Sequence, residues 1–264
     1  MAKEIKRFDF DDPPRRPSRF WDFVARTLSF GNLKRRNFIC RYHGTENLKP
    51  PYVLLSNHGS IVDLRIMTKI TYPAEVNKVA TIECFHDYPE WMFRKLGVTG
   101  KRRFYKDLNL IKKIKYSLDV MGNIFCMYPE AKYSLDGCTS YIPKSLGKLL
   151  KMLKVPVAVI NSKGNFITRP QWNKIEKGTH VEADFTLILT PEDLKNKSVN
   201  EINDIIAENF VYDDFAWQKE NHIIIDHPKR ADGLHSLLYQ CPHCGKEIPE
   251  EGSFCNYCGE KIEK

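Results

Sequence analysis

The sequence has no apolar run close to the roughly 18 residues that a membrane-spanning helix needs, so no segment is expected to cross a bilayer. Its opening residues include Lys3, Glu4, Lys6, Arg7 and Asp9, which leaves no apolar stretch of the kind a secretory signal carries. The expected location is the cytoplasm. No repeat longer than a Cys-x-x-Cys pair is visible, and the Gly-x-Ser-x-Gly elbow that exposes a nucleophilic serine is missing. That absence argues against a covalent intermediate on such a residue. Disordered and collagen-like classes are excluded by 42% hydrophobic and 12% aromatic residues. A chain of 264 residues with this composition can bury one sizeable core and a small appendage.

Charge is abundant but unevenly placed. Lys and Arg number 41 against 33 Asp and Glu, a net +8. Residues 1–50 hold twelve basic and six acidic side chains; residues 94–115 hold nine and one. Such concentration favours an anionic partner, whether nucleic acid, phospholipid headgroups or a phosphorylated substrate. A solvated basic face is the plain alternative for either patch.

The eight cysteines fall into two sets. Cys40, Cys84, Cys126 and Cys138 are scattered in or beside apolar sequence, as buried reduced thiols are. Cys241, Cys244, Cys255 and Cys258 form two Cys-x-x-Cys pairs, each followed by a glycine. Two tight turns at this spacing aim four thiolates at one point and complete a tetrahedral zinc shell. Such a shell leaves no position for water, so the expected zinc is structural. His243 is expected to face solvent.

Asp9 to Ser18, rich in proline, reads as an extended arm. Ser18 can then cap a short amphipathic helix in which Phe20, Phe23, Val24 and Leu28 recur beside Trp21 and Arg26. That apolar face either packs on the core or lies on a membrane surface. From Pro51 strand and helix alternate, with strands expected at 52–56, 78–82, 124–128, 155–161 and 181–190. Helices are expected at 60–70, 88–96, 107–121, 145–154 and 199–209. Asp107 is the expected cap of the clearest, whose stripe is Ile111, Ile114, Leu118 and Met121. The text around Asp213 to Arg230 reads as a packed tail and linker. The expected fold is α/β, a mostly parallel or mixed sheet with crossover helices, an N-terminal amphipathic helix and a small C-terminal zinc-ribbon module. Three parts follow: arm and helix at 1–32, an α/β domain at 33–235, and the ribbon at 236–264.

Chemistry is concentrated after the first strand, in Asn57-His58-Gly59-Ser60-Ile61-Val62-Asp63. In a regular helix residues five apart are turned by about 140°, so His58 and Asp63 can meet only if the histidine precedes the helix. Gly59 and Ser60 provide that break. A carboxylate on one ring nitrogen fixes the tautomer and stabilises the imidazolium, and the other nitrogen becomes a base for an alcohol proton. A histidine closing a strand in a purely structural role is the alternative.

Further blocks point to a family. Asn57, His58 and Asp63 match N-H-x-x-x-x-D, and Tyr128-Pro129-Glu130-Ala131-Lys132-Tyr133-Ser134 partly matches F-P-E-G-T-R-S. Between them, Gly97 to Arg103 looks like a glycine followed by an arginine about six residues on, with Arg103 in the arginine place; Val155 to Ile160 looks like an apolar run around a proline. In this order, over residues 33–190, the set resembles the glycerolipid acyltransferase family typified by 1-acylglycerol-3-phosphate acyltransferase. The chain departs from it at Ala131, where the family has glycine, and at Tyr133, where an arginine helps hold the glycerol phosphate.

The resemblance implies a membrane-surface enzyme of phospholipid synthesis, peripheral on the inner face. It would move a fatty acyl group from an acyl thioester, on acyl-carrier protein or CoA, to the free hydroxyl of a lysophospholipid, first of all lysophosphatidate. His58 and Asp63 are the expected catalytic pair. Asn57, Arg102, Arg103, Glu130, Lys132 and Ser134 are the expected substrate-binding residues, with Lys132, Arg103 or Arg102 replacing the lost arginine at the phosphate. Glu130 would order the glycerol hydroxyls or anchor the loop of His58. The transfer step requires no cofactor. Two rival readings are a zinc-ribbon nucleic-acid-binding protein and a catalytically lapsed relative that binds lipid. Against the first, residues 236–264 carry three lysines and five glutamates, a poor footprint for phosphate, so no nucleic acid is expected.

Overall fold

The computed structural model describes residues 12–82, 84, 89–102, 107–234, 237, 240–241, 243–247, 255 and 257–261. Among them seven strands build one sheet. These are β1 (Ile39–His43), β2 (Val53–Ser56), β3 (Val76–Thr81), β4 (Val98–Lys101), β5 (Ile124–Met127), β6 (Val157–Lys163) and β7 (Glu182–Leu189). Their order is β1-β7-β6-β2-β5-β3-β4. Neighbours run parallel except β6 with β7. The sheet is therefore mixed, with a parallel majority.

Helices cover both faces, which is why β2 and β5 are buried at every position and read as unbroken apolar runs. On one face α1 (Arg19–Arg35) and α2 (Val62–Thr71) lay Leu33, Val62, Ile66 and Met67 over Leu54, Cys126, Ala158 and Ile160. The opposite face is covered by α4 (Leu108–Lys115) with its π-helical extension Tyr116–Val120, by α5 (Ser145–Leu153), α7 (Pro191–Asn196) and α8 (Val199–Asn209). There Ile114, Leu118, Leu150 and Ile202 pack on Val53, Leu55, Phe125 and Val159. Two shorter helices, α3 (Glu90–Lys95) and α6 (Asn165–Thr168), precede β4 and follow β6.

Several local expectations are revised. β1 and β4 are both edge strands too polar to read as strands: β1 is Ile-Cys-Arg-Tyr-His and is largely exposed. Arg41 and His43 face acidic residues of β7, with Arg41 2.7 Å from Glu182 and His43 3.2 Å from Asp184. Asp107 does cap its helix, accepting from the Leu110 amide at 3.0 Å, but the last turn widens into a π-turn. The expected tail is partly helical: α9 spans Asp214–Glu220 and is capped by Asp213, which accepts from the Ala216 amide at 2.8 Å. The expected division after residue 32 falls inside α1, and Leu33 at its end is buried in the sheet's core. The division at 235/236 lies outside the described residues.

Candidate active site

The block Asn57 to Asp63 starts where β2 ends and runs into the first turn of α2. Asn57 is fully buried, and its side chain pairs in both directions with the backbone of Ser162 on β6 at 2.8 Å. This clamp fixes the exit direction of the chain, so Asn57 acts on the loop of His58. His58 follows. Its Nδ1 lies 2.9 Å from Asp63 Oδ2, and a carboxylate there holds the ring proton on Nδ1. The same carboxylate oxygen accepts the Ser60 amide at 3.1 Å, while Ser60 Oγ accepts from the Val62 amide at 3.2 Å. The histidine thus precedes the helix, and Asp63 in its first turn reaches back to it.

Both faces of the imidazole are covered by aromatic rings. Tyr128 stacks at 4.1 Å between centroids and 24° between planes; Tyr133 lies at 4.1 Å and 34°. The tyrosine at the place of the family's arginine is therefore packed against the His58 ring. With the faces occupied and Nδ1 engaged, access to the ring is through its Nε2 edge, and the side chain keeps 18% exposure.

Glu130 anchors this loop. Its Oε1 accepts the His58 amide at 3.2 Å, Oε2 accepts the Ser140 amide at 3.0 Å, and the Tyr212 hydroxyl lies 3.2 and 3.0 Å from the two oxygens. Burial pushes the Glu130 carboxyl above its ordinary range, against the pull of these donors. Of its two expected roles the hydrogen bonds support the anchoring one. Ser134 is fully buried as well: its amide donates to His58 O at 2.8 Å, and its hydroxyl donates to Cys138 O at 2.9 Å and accepts from the Gly137 amide at 3.0 Å. It shapes the turn and presents no free hydroxyl to a ligand.

The cationic residues are placed differently. Lys132 is exposed in the loop after β5, and Arg102 is exposed just past β4. Arg103 lies outside the described residues. His58, Lys132 and Arg102 all follow the C-terminal ends of parallel strands, so they share one edge of the sheet, where open α/β sheets place their ligands. β2 and β4 are three strand spacings apart, about 14 Å.

Sequence reasoning missed three residues that complete the site. Asn165 on α6 donates from Nδ2 to Asp63 Oδ1 at 2.5 Å, 102 positions along the chain. Gly59 makes room for it, since a Cβ there would lie 2.6 Å from that same nitrogen. Tyr212 and Asp214 come from beyond the sheet. Asp214, fully buried, accepts the amides of Gly164, Phe166 and Ile167 at 3.2, 3.0 and 3.4 Å, and burial lifts its carboxyl to about 7. No spacing rule could signal them, because β6 and the chain after Phe210 reach the site only through the fold.

The four C-terminal cysteines form a separate centre. Their sulfur atoms all lie within 4.8 Å of one another, with Cys241–Cys258 and Cys244–Cys255 at 3.7 Å. A tetrahedral shell with zinc–sulfur bonds of about 2.3 Å sets its sulfurs about 3.8 Å apart, so the cluster fits a zinc ribbon. The two knuckles repeat one geometry: the amides of Gly245 and Gly259 return to the carbonyls of Cys241 and Cys255 at 2.8 and 2.9 Å. Both glycines have positive φ, at 70° and 73°, as the turn requires. Backbone amides of Tyr257 and Cys258 draw the Cys255 thiol down to about 6, whereas burial and the neighbouring sulfurs push the Cys258 thiol up. His243 is exposed.

Residues 39–163 match the family model described as Acyltransferase, and residues 239–263 match a domain of unknown function, DUF7575. No curated protein matches the chain. Among solved structures the chain is similar to the 1-acyl-sn-glycerophosphate (LPA) acyltransferase PlsC from Thermotoga maritima. The TM-score is 0.56 at 18% identity, over 71% of this chain and 77% of that one. At that identity the likeness concerns the fold. The family match ends at Lys163, two residues short of Asn165, and takes in β2, the His58 loop and the Glu130 loop. The segment that holds the His58–Asp63 pair thus matches the acyltransferase family model, and the chain carries it together with a C-terminal cluster of four cysteines that could hold a metal.

Proposed function

We propose that the protein transfers a fatty acyl group from an acyl thioester, on acyl-carrier protein or CoA, to the free hydroxyl of a lysophospholipid. Lysophosphatidate is the first acceptor to consider, as for a 1-acylglycerol-3-phosphate O-acyltransferase. The observation that carries the reading is the 2.9 Å contact of His58 Nδ1 with Asp63, which leaves Nε2 as the basic edge of a ring walled on both faces. Nε2 takes the acceptor's hydroxyl proton as its oxygen attacks the thioester carbonyl. The tetrahedral intermediate collapses, the carbon–sulfur bond breaks, and the imidazolium returns the proton to the leaving thiolate. Lys132, Arg102 and Arg103 are the cations proposed for the acceptor's phosphate.

The same reading places the enzyme on the inner face of the cytoplasmic membrane. In α1, Phe20, Phe23 and Leu28 are each about two-thirds exposed and do not pack on the core. Trp91 and Tyr72 add exposed aromatic surface, Trp91 lying 5.7 Å from Trp21. Lys95 and Arg26 sit over the rings of Trp91 and Tyr72. Aromatic rings edged by cations suit an anionic lipid interface. Among the described residues no helix is long and apolar enough to cross a membrane, so docking rests on this surface. The metal proposed for the cysteine cluster is zinc; bound there, it would hold the ribbon's fold.

Thioester consumption with lysophosphatidate tests the reading. His58→Ala should lower turnover by about a thousandfold or more, and Asp63→Asn should lower it strongly with the fold intact, because an amide can hold the ring but cannot stabilise its charge. Undiminished turnover in His58→Ala would remove the base.

A further inference from the structure

The His58–Asp63 pair has a third member that the acyltransferase blocks do not contain. Asp63 is 1% exposed and has two oxygens to satisfy. Oδ2 serves His58 and the Ser60 amide; Oδ1 receives the side chain of Asn165. Asn165 is itself 1% exposed, and its backbone carbonyl accepts Ser60 Oγ at 2.7 Å, so one residue grips both the carboxylate and the loop before α2. Its amide orientation is fixed by charge. Turned over, its carbonyl oxygen would face the carboxylate; as placed, Nδ2 donates, although Oδ1 is then left buried without a partner. That cost is accepted at only a few buried sites.

The turn that carries Asn165 is fastened from a third direction by Asp214, which gathers the amides of Gly164, Phe166 and Ile167, while its own amide donates to Gly137 O at 2.9 Å. Asp214 therefore bridges the Asn165 turn to the loop that also holds Ser134, whose amide bonds His58 O.

We propose that Asn165 is the positioning residue of the pair, aiming Asp63 at His58, and that Asp214 seats Asn165 for this task. The proposal rests on the reading of His58 as the base. A carboxylate fully removed from water needs donors on both oxygens, and Asn165 provides a side-chain donor on Oδ1 of Asp63. Without it, Asp63 is free to rotate away from Nδ1, which disarms the imidazole. The other ionisable groups around the pair are Cys126 on β5, Tyr128, Glu130 and Tyr133 in the loop after it, and Tyr212 and Asp214 from the chain beyond α8.

The test compares Asn165→Ala and Asn165→Asp with wild type by steady-state acyl transfer across pH and by NMR titration of the His58 ring. Asn165→Ala should lower kcat about 10- to 100-fold while acceptor KM stays within about twofold, the mark of lost orientation and not of lost binding. Asn165→Asp is nearly isosteric and sets a second carboxylate against Asp63. It should move the acidic limb of kcat/KM, and the His58 titration with it, up by about one pH unit, because the added negative charge favours the imidazolium. Folded variants with unchanged kcat, unchanged limb and unchanged His58 titration would overturn the proposal. If Asn165→Ala fails to fold, Asn165→Asp decides. Should wild type transfer no acyl group, the functional reading fails, while the His58 titration still reports on Asn165.

Discussion

The Tyr212 hydroxyl reaches both oxygens of Glu130, at 3.2 and 3.0 Å, and so ties the chain beyond α8 to the loop that holds His58. Glu130 and Tyr212 are each 5% exposed. Tyr212→Phe removes a side-chain donor that reaches both oxygens of Glu130 and should cost about 1–2 kcal/mol of stability. The loss should depend on pH. Glu130's carboxyl is raised in the folded state, so the stability it lends is present at acid pH and lost as pH rises through that raised value. The ionised form then needs its donors most. Urea midpoints at pH 5 and pH 8 should show the larger deficit at pH 8; an equal deficit at both would mean that Glu130 stays neutral throughout.

Ala131 occupies the left-handed region with φ of 57°, at the position where the resemblance led one to expect glycine. A Cβ is unfavourable there by about 1 kcal/mol or more, partly offset by the freer unfolded chain of glycine. Ala131→Gly should therefore raise the unfolding midpoint slightly, by about 0.5 kcal/mol, without disturbing the Ala131 N to Tyr128 O bond of 3.0 Å. A thermal melt measures it, and a fall in midpoint would show that the loop relaxes around alanine.

Serine at Phe20, Phe23 and Leu28 together should weaken binding to anionic phospholipid vesicles by more than about tenfold, since each side chain buried in lipid contributes about 1.5–3 kcal/mol. Stability should barely change, because all three already face outward. Co-sedimentation with anionic and with neutral vesicles separates the apolar from the electrostatic part; equal binding of variant and wild type would dismiss α1 as the docking element.

Elemental analysis should find one zinc per chain. Chelation should unfold the C-terminal module first, because among its described residues only Cys241 and Cys255 are buried and metal must replace a core. Truncation after His235 keeps Tyr212, Asp214 and Trp217 and should leave acyl transfer measurable. A folded but inactive truncation would show that the module serves catalysis; absence of metal would dismiss the zinc assignment.

What the sequence determined by itself is what lies close along the chain. His58 and Asp63 are five residues apart, Gly59 breaks the backbone between them, and local geometry was enough to expect that ring and carboxylate meet. The same holds for the paired cysteines with their glycines and for the Asp107 cap. The parallel core was legible because strands buried on both faces must be apolar throughout. Tertiary structure decided the rest. β6 lies beside β2, which brings Asn165 to Asp63, and the chain after Phe210 folds back to deliver Tyr212 and Asp214; hydrogen bonds across such distances depend on strand order, which no spacing encodes. The polar edges β1 and β4 became strands only by pairing with a neighbour. The outward face of α1 was undecided for a related reason: an apolar stripe has the same period whether it meets a core or a lipid surface, and only the position of α2 beneath the helix shows which side chains are left outside.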